Sequence, residues 1–89
     1  MQFTELEGQV ITNPKVILES PFQVAFDVKV KGDVMPVIFT TDYARSLWKN
    51  IHNGDFIFMN GFIDKGTLVV GFVYLEKQAA VGRNLNIYG

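Results

Sequence analysis

Apolar and polar positions alternate in short blocks along this chain, and the blocks predict strands. Residues 3–11 read as a first strand. Leu6, Gly8 and Val10 lie on one side of it, and Glu5, Glu7 and Gln9 on the other. Asn13-Pro14 interrupts the pattern as a bend or bulge would, and residues 15–18 continue it briefly. Ser20-Pro21 turns the chain. Residues 22–31 carry the clearest alternation. Phe22, Val24, Phe26, Val28 and Val30 share one face; Gln23, Ala25, Asp27, Lys29 and Lys31 share the other. Gly32-Asp33 then signals a hairpin. Residues 34–40 form a third strand that is apolar on both faces, and Pro36 inside it argues for an edge position or a bulge.

The period then changes. Asp42 is a plausible helix N-cap, and Tyr43, Leu47 and Ile51 recur every four residues, the spacing of one helical face. Asn53-Gly54 stops the helix, since Gly accepts the left-handed conformation that ends one. A helix over roughly 42–52 follows. A fourth strand runs from there to the tight turn at Lys65-Gly66, and residues 67–76 form a fifth. Three strands, one helix and two strands predict an all-β fold with one short helix. The specific expectation is a five-stranded OB-fold Greek-key barrel with the helix between strands 3 and 4. An SH3-like barrel has no room for a helix of that length there. Residues 1–76 make the OB-fold domain, and 77–89 a C-terminal tail or short extra strand.

The fourth strand breaks the pattern. One of its faces, Ile57, Met59, Gly61 and Ile63, suits a core. The other, Phe56, Phe58, Asn60, Phe62 and Asp64, carries three phenylalanines where polar residues would be expected. Those rings predict one of three things: a subunit interface, contact with the helix or tail, or stacking on nucleic-acid bases. The interface is favoured, with Phe56, Phe58 and Phe62 as its residues. In the fifth strand, Phe72 and Tyr74 fall in step with Leu68 and Val70, so they are expected in the core. Trp48 flanks the helix's apolar stripe and is expected to pack on the barrel.

Composition sharpens the picture. A hydrophobic fraction of 48% with eight Phe is high for one small domain and points to a binding or assembly face. A net charge of −1 argues against a protein held to nucleic acid by phosphate contacts alone, although Lys29 and Lys31 cluster on one strand face. With no cysteine there is no disulfide, thiol nucleophile or Cys-based metal site. His52 stands alone in sequence, so no metal is expected; its place is at the helix C-terminus, where an imidazolium suits the dipole. No nucleophile-elbow, phosphate-loop or HExxH pattern occurs. The expectation is a non-enzymatic binding protein without a cofactor. The first residues lack the pattern of a signal peptide and no run reaches membrane-spanning length, which predicts a cytoplasmic location.

Several stretches resemble the bacterial single-stranded DNA-binding protein family, including its primosomal replication protein N-like members. "LEGQVITNPKV" is similar to the family's opening strand and "FQVAFDVKV" to its second. "MPVIFTTDYARSLWKNIHNGDFIFMNGFI" resembles its third strand, helix and fourth strand, and the seven-residue step from Gly54 to Gly61 is the most distinctive part. The similarity covers roughly residues 3–76. It implies single-stranded DNA binding in replication or recombination, by backbone contacts and base stacking. It also implies a homodimer or homotetramer, encoded by a bacterium or phage and associated with the nucleoid. A family stacking position near the end of the third strand falls at Thr40, beside Phe39; another falls near Val34. The family's long basic loop is reduced here to Gly32-Asp33. The expected strand contacts are Lys29, Lys31 and Phe39, with Pro36 and Ile38 as an apolar floor and Thr40 at the stacking position. A small oligomeric protein-interaction module of the same fold is the alternative.

Overall fold

A computed structural model describes residues 2–77, apart from the side chains of Gln2, Asp42 and Tyr43. The expectations for the Tyr43 side chain and for residues 78–89 lie outside the described residues. The elements are β1 (Gln2–Val10), β2 (Lys15–Glu19), β3 (Phe22–Val30), β4 (Asp33–Thr40), α1 (Asp42–Leu47), a 3-10 turn (Trp48–Asn50), β5 (Phe56–Asp64) and β6 (Thr67–Lys77). Strands β1, β5, β6, β4 and β3 are neighbours in that order. The pairing of Gln9 with Lys29 and Val10 with Val28 returns β3 to β1 and closes the ring. All pairings are antiparallel except β4 with β6, which run parallel over three residue pairs, Val37 with Leu68 to Phe39 with Val70. β2 resumes the first strand after the Asn13-Pro14 break and lies along β3. The result is the expected OB-fold barrel with its first strand divided in two. No helix among the described residues is long and apolar enough to cross a membrane.

Alternation fills the barrel. Phe22, Val24, Phe26 and Val28 of β3 point inward, as do Val37 and Phe39 of β4 and Ile57 and Met59 of β5. Removing each such side chain from water contributes about 1.5–3 kcal/mol. Pro36 stands one residue before the β4–β6 pairing begins, where β4 has only β3 beside it. This is the edge setting in which a missing N–H costs least.

The helix starts one residue earlier than expected. Thr41, not Asp42, is its N-cap, and the Thr41 hydroxyl accepts the Ala44 N–H at 3.1 Å. The helix is also shorter, six residues followed by the 3-10 turn. Ala44 and Ile51 are buried, and Leu47 and Trp48 pack partly exposed against the core, so this segment plugs the barrel. The Arg45 guanidinium lies 4.5 Å over the Phe22 ring and donates to the Glu19 carbonyl at 3.0 Å. Arg45 thus ties the plug to β2 and β3.

Asp55, for which the sequence suggested no role, is fully buried beyond the helix. Its carboxylate accepts the His52 N–H at 2.8 Å, and its carbonyl accepts the Val10 N–H at 2.8 Å. The Gly54 N–H donates back to the Val10 carbonyl at 2.7 Å, and the next amide, Ile11, donates to Asp27 on β3 at 2.9 Å. Here β1 leaves β5 and joins β3. A buried carboxylate without a donor would be costly; accepting the His52 N–H, it fixes the turn.

Two irregularities in β6 decide which residues face outward. Gly61 is opposite Val70 but Asn60 is opposite Phe72, so Gly71 is an extra residue, a β-bulge. Before it, Leu68 and Val70 point inward. After it the inward position is Val73, and Phe72 and Tyr74 point outward, 39% and 59% exposed. The core placement expected for Phe72 and Tyr74 is therefore corrected: an unbroken period of two does not survive the bulge. A second bulge leaves Glu76 between Leu75, opposite Ile57, and Lys77, opposite Phe56.

Beside the first bulge the β5 and β6 backbones come unusually close. A Cβ on Gly61 would stand 2.7 Å from the Val70 Cα, with the Val69 carbonyl closer still. Backbone atoms cannot yield as a flexible side chain would. Gly61→Ala is expected to destabilise the fold by about 1–3 kcal/mol in urea unfolding, typical of a methyl forced into a packed interior. An unchanged midpoint would contradict this account of the close approach.

Candidate nucleic-acid interface

The barrel has two outer faces of different character. The first is formed by β3 and β4. Register places Gln23 beside Thr40, Ala25 beside Ile38, Asp27 beside Pro36, and Lys29 beside Val34. All of these alternate with core residues and so point out. Across β3 from Ala25 lies Lys15 of β2. The residues joining β1 to β2 lean over this face, because the Thr12 hydroxyl accepts the Asp27 N–H at 2.8 Å. Together they enclose a groove of about 380 Å³ whose walls include Thr12, Asn13, Lys15, Asp27 and Thr67, with Ala25, Pro36 and Ile38 in its floor.

The expected site residues divide here. Pro36, Ile38 and Thr40 are on this face, with Pro36 and Ile38 in the groove. Lys29 is exposed at the Val34 end. Phe39 is not available: its side chain is completely buried in the core. The correction follows from register, since Val24 pairs with Phe39 on the inward side and Gln23 with Thr40 on the outward side. The reading that placed Phe39 against a strand was one residue out of phase. Lys31 also moves. The turn is Lys31-Gly32, not Gly32-Asp33, with Val30 paired to Asp33 and positive φ angles of 51° and 89° at the two turn residues. These are the angles a two-residue hairpin turn requires. Lys31 therefore sits at the hairpin tip rather than on the strand face. Lys15 was missed as a groove residue; its cue was its place immediately after the Asn13-Pro14 break.

The second face is formed by β1, β5 and β6. Its central row is the expected one: Phe56 and Phe62 are exposed, and Phe58 and Asn60 lie partly exposed between them. Phe3 of β1 meets Phe62 edge-on, with ring centroids 5.4 Å apart. Tyr74 lies beside Phe58 and Phe72 beside Asn60. Glu5 and Glu7 line the β1 side. This face is aromatic and acidic, the opposite of what a phosphate backbone needs.

The two faces meet in a cleft of about 390 Å³ bordered by Glu7, Gln9, Lys29, Lys31, Phe56 and Glu76. The Glu76 carboxyl titrates above the ordinary glutamate range. The main cause is a side-chain hydrogen bond with Glu7, and desolvation and the Glu7 charge act in the same direction. A carboxyl whose folded pKa is raised binds its proton more tightly in the native state, so it costs stability at neutral pH. That cost is relieved as pH falls through the raised value. Glu76→Gln is expected to raise the melting temperature at neutral pH. It should also flatten the gain seen on acidification toward about pH 4. An identical pH profile in wild type and variant would contradict the raised titration of Glu76.

The described barrel is similar to part of TiaS in two crystal structures. In TiaS complexed with a tRNA, AMPCPP and agmatine, the match has a TM-score of 0.76 and 19% identity. It covers 88% of this chain and 19% of that one. In the ZRD-deleted mutant of TiaS with agmatine, the TM-score is 0.80 and the identity 19%, over 92% of this chain and 23% of that one. The chain thus spans about a fifth of the length of the TiaS chains it matches. At this identity the likeness is one of fold. No family model matches the sequence, and no curated protein does.

Proposed function

We propose that this chain is a non-enzymatic protein that binds single-stranded nucleic acid, single-stranded DNA in the first instance, along the outer face of β3 and β4. The observation that carries the proposal is the groove itself. It has an apolar floor of Ala25, Pro36 and Ile38 and is bordered by Lys15, with Lys29 further along the same face and Lys31 at the hairpin tip. In OB-folds this pair of strands is the usual site for oligonucleotides. An apolar floor accepts base faces irrespective of sequence, while lysines follow the phosphates.

The face has no exposed aromatic ring among its described residues, because Phe39 is inside. Affinity then comes mainly from charge, and binding is weak and strongly salt-dependent. Asp27 in the groove and the Glu7–Glu76 pair beside Lys29 and Lys31 reduce it further. The likeness to part of TiaS, one structure of which holds a tRNA, supports a nucleic-acid role in general terms. The resemblance to single-stranded DNA-binding proteins supports DNA, and with it replication or recombination as the setting. A second reading, a protein-interaction module without a nucleic-acid ligand, is favoured by the aromatic face of β1, β5 and β6.

Anisotropy titration of a labelled poly-dT oligomer, with duplex as control, separates the two. Saturable binding to the single strand that weakens with salt is expected. Lys29→Glu with Lys31→Glu should lower affinity and reduce the log–log salt slope by roughly 1–2. Absence of binding at high micromolar protein in low salt would leave the protein-interaction reading.

A further inference from the structure

The groove on β3 and β4 carries a charge that a plain track for a nucleic-acid strand would not have. Asp27 points out from β3, half-buried, among the residues that line it. Its backbone is fully used: the N–H donates to the Thr12 hydroxyl, and the carbonyl accepts the Ile11 N–H. Its carboxylate has neither a hydrogen bond nor an ion pair among the described residues. A free carboxylate in a groove for a polyanion repels the phosphates. It strengthens binding only where the ligand brings donors to it. We infer that Asp27 reads a base, accepting hydrogen bonds from the pairing edge of guanine, so that the groove prefers single strands containing guanine. This rests on the nucleic-acid reading of the β3–β4 face and goes beyond it: the apolar floor is indifferent to base identity, and this wall is not.

Three features select guanine. The first is the chemistry of the carboxylate, which only accepts, at two oxygens side by side. Among the DNA bases, guanine alone presents two adjacent donors on its pairing edge, N1–H and the N2 amino group, and so uses both oxygens. Cytosine and adenine set one amino group beside a ring-nitrogen acceptor. Thymine sets its single N3–H between two carbonyls, whose oxygens face the carboxylate with like charge. The second feature is the floor. Asp27 is beside Pro36, and Ala25 beside Ile38. The carboxylate therefore borders the apolar patch, where it meets the edge of a ring resting on Pro36 and Ile38. At about 380 Å³ the groove is at the small end for a ligand site and suits one base with its sugar. The third feature is the set of donors around the carboxylate. Asn13 and Thr67 line the groove, and neither side chain has a hydrogen bond among the described residues. Their amide and hydroxyl can donate to guanine O6, the acceptor next to N1–H. Lys15, level with Ala25, and Lys29 stand on either side of Asp27, each two residues or about 7 Å away along the strand. They offset its charge and hold the phosphates that flank the bound base.

Anisotropy titration with matched labelled oligomers tests the inference. One is a dT oligomer; in the others, isolated residues of it are replaced by dG, by deoxyinosine or by dC, isolation keeping the strands unfolded. The dG oligomer is expected to bind roughly tenfold more tightly than the dT oligomer, the effect of one bidentate pair. Deoxyinosine keeps N1–H but lacks the N2 amino group, so its oligomer should fall between them. Asp27→Asn should bind the dT oligomer at least as well as wild type, because a like charge leaves the groove, and should lose the dG advantage. Asp27 serves the fold through its backbone, so circular dichroism of the variant should be unchanged. Equal affinity for the dG and dT oligomers would overturn the inference and leave the nucleic-acid reading standing. So would deoxyinosine or dC bound as tightly as dG, or a dG advantage that survives Asp27→Asn. Binding of none of the oligomers would overturn both.

Discussion

One extra residue in β6 sets the character of the outer face of β1, β5 and β6. Gly71 lies between Val70, opposite Gly61, and Phe72, opposite Asn60. Without it, the alternation that buries Leu68 and Val70 would bury Phe72 and Tyr74 as well, and would turn Val73 outward. With it, Val73 enters the core and two more aromatic rings join Phe56, Phe58 and Phe62 outside. The shift is possible because Gly61 lets the backbone of β6 pass against β5 where any side chain would collide. The step from Gly54 to Gly61, the most distinctive part of the sequence, therefore has two physical causes. Gly54 takes a φ of 98° in the turn that Asp55 clasps, and Gly61 gives room beside the bulge.

Closure of the barrel divides its outer surface. On β3 and β4, outward positions are polar along β3 and aliphatic along β4, with lysines toward one end and a groove walled by the residues that join β1 to β2. On β1, β5 and β6, outward positions are aromatic in the middle and acidic along β1. A phosphate backbone and an apolar protein surface select opposite properties. The two faces therefore serve different partners in this account, and the cleft holding Lys29, Lys31, Glu7 and Glu76 is the border between them.

Most of the fold was legible in the sequence, because period-two alternation is a direct record of which side is buried. β3 and β5 have the faces their residues predict, and the order of strands and helix identifies the barrel. What escaped was local. Register in β4 could not be read from a segment apolar on both faces, so Phe39 was assigned to the surface although it is in the core. Lys31 was taken for a strand residue because it continues the alternation of β3 and Gly32-Asp33 looks like the turn, yet it adopts a positive φ at the hairpin tip. The bulge at Gly71 looks like one more glycine in a strand. Asp55 drew no expectation from the sequence: its contact with the His52 amide is local, but its burial comes with the end of β1, whose Val10 amide only the fold brings to it.

The central claim is that the two faces have separate partners. Amide chemical-shift mapping of the isotope-labelled chain tests it most directly, on addition of poly-dT at fixed protein concentration. The account predicts that DNA perturbs Lys15, Ala25, Lys29 and Ile38 and leaves Phe58, Asn60, Phe62 and Tyr74 unchanged. DNA-induced shifts centred on Phe58, Phe62 and Tyr74, with the β3–β4 face silent, would contradict it.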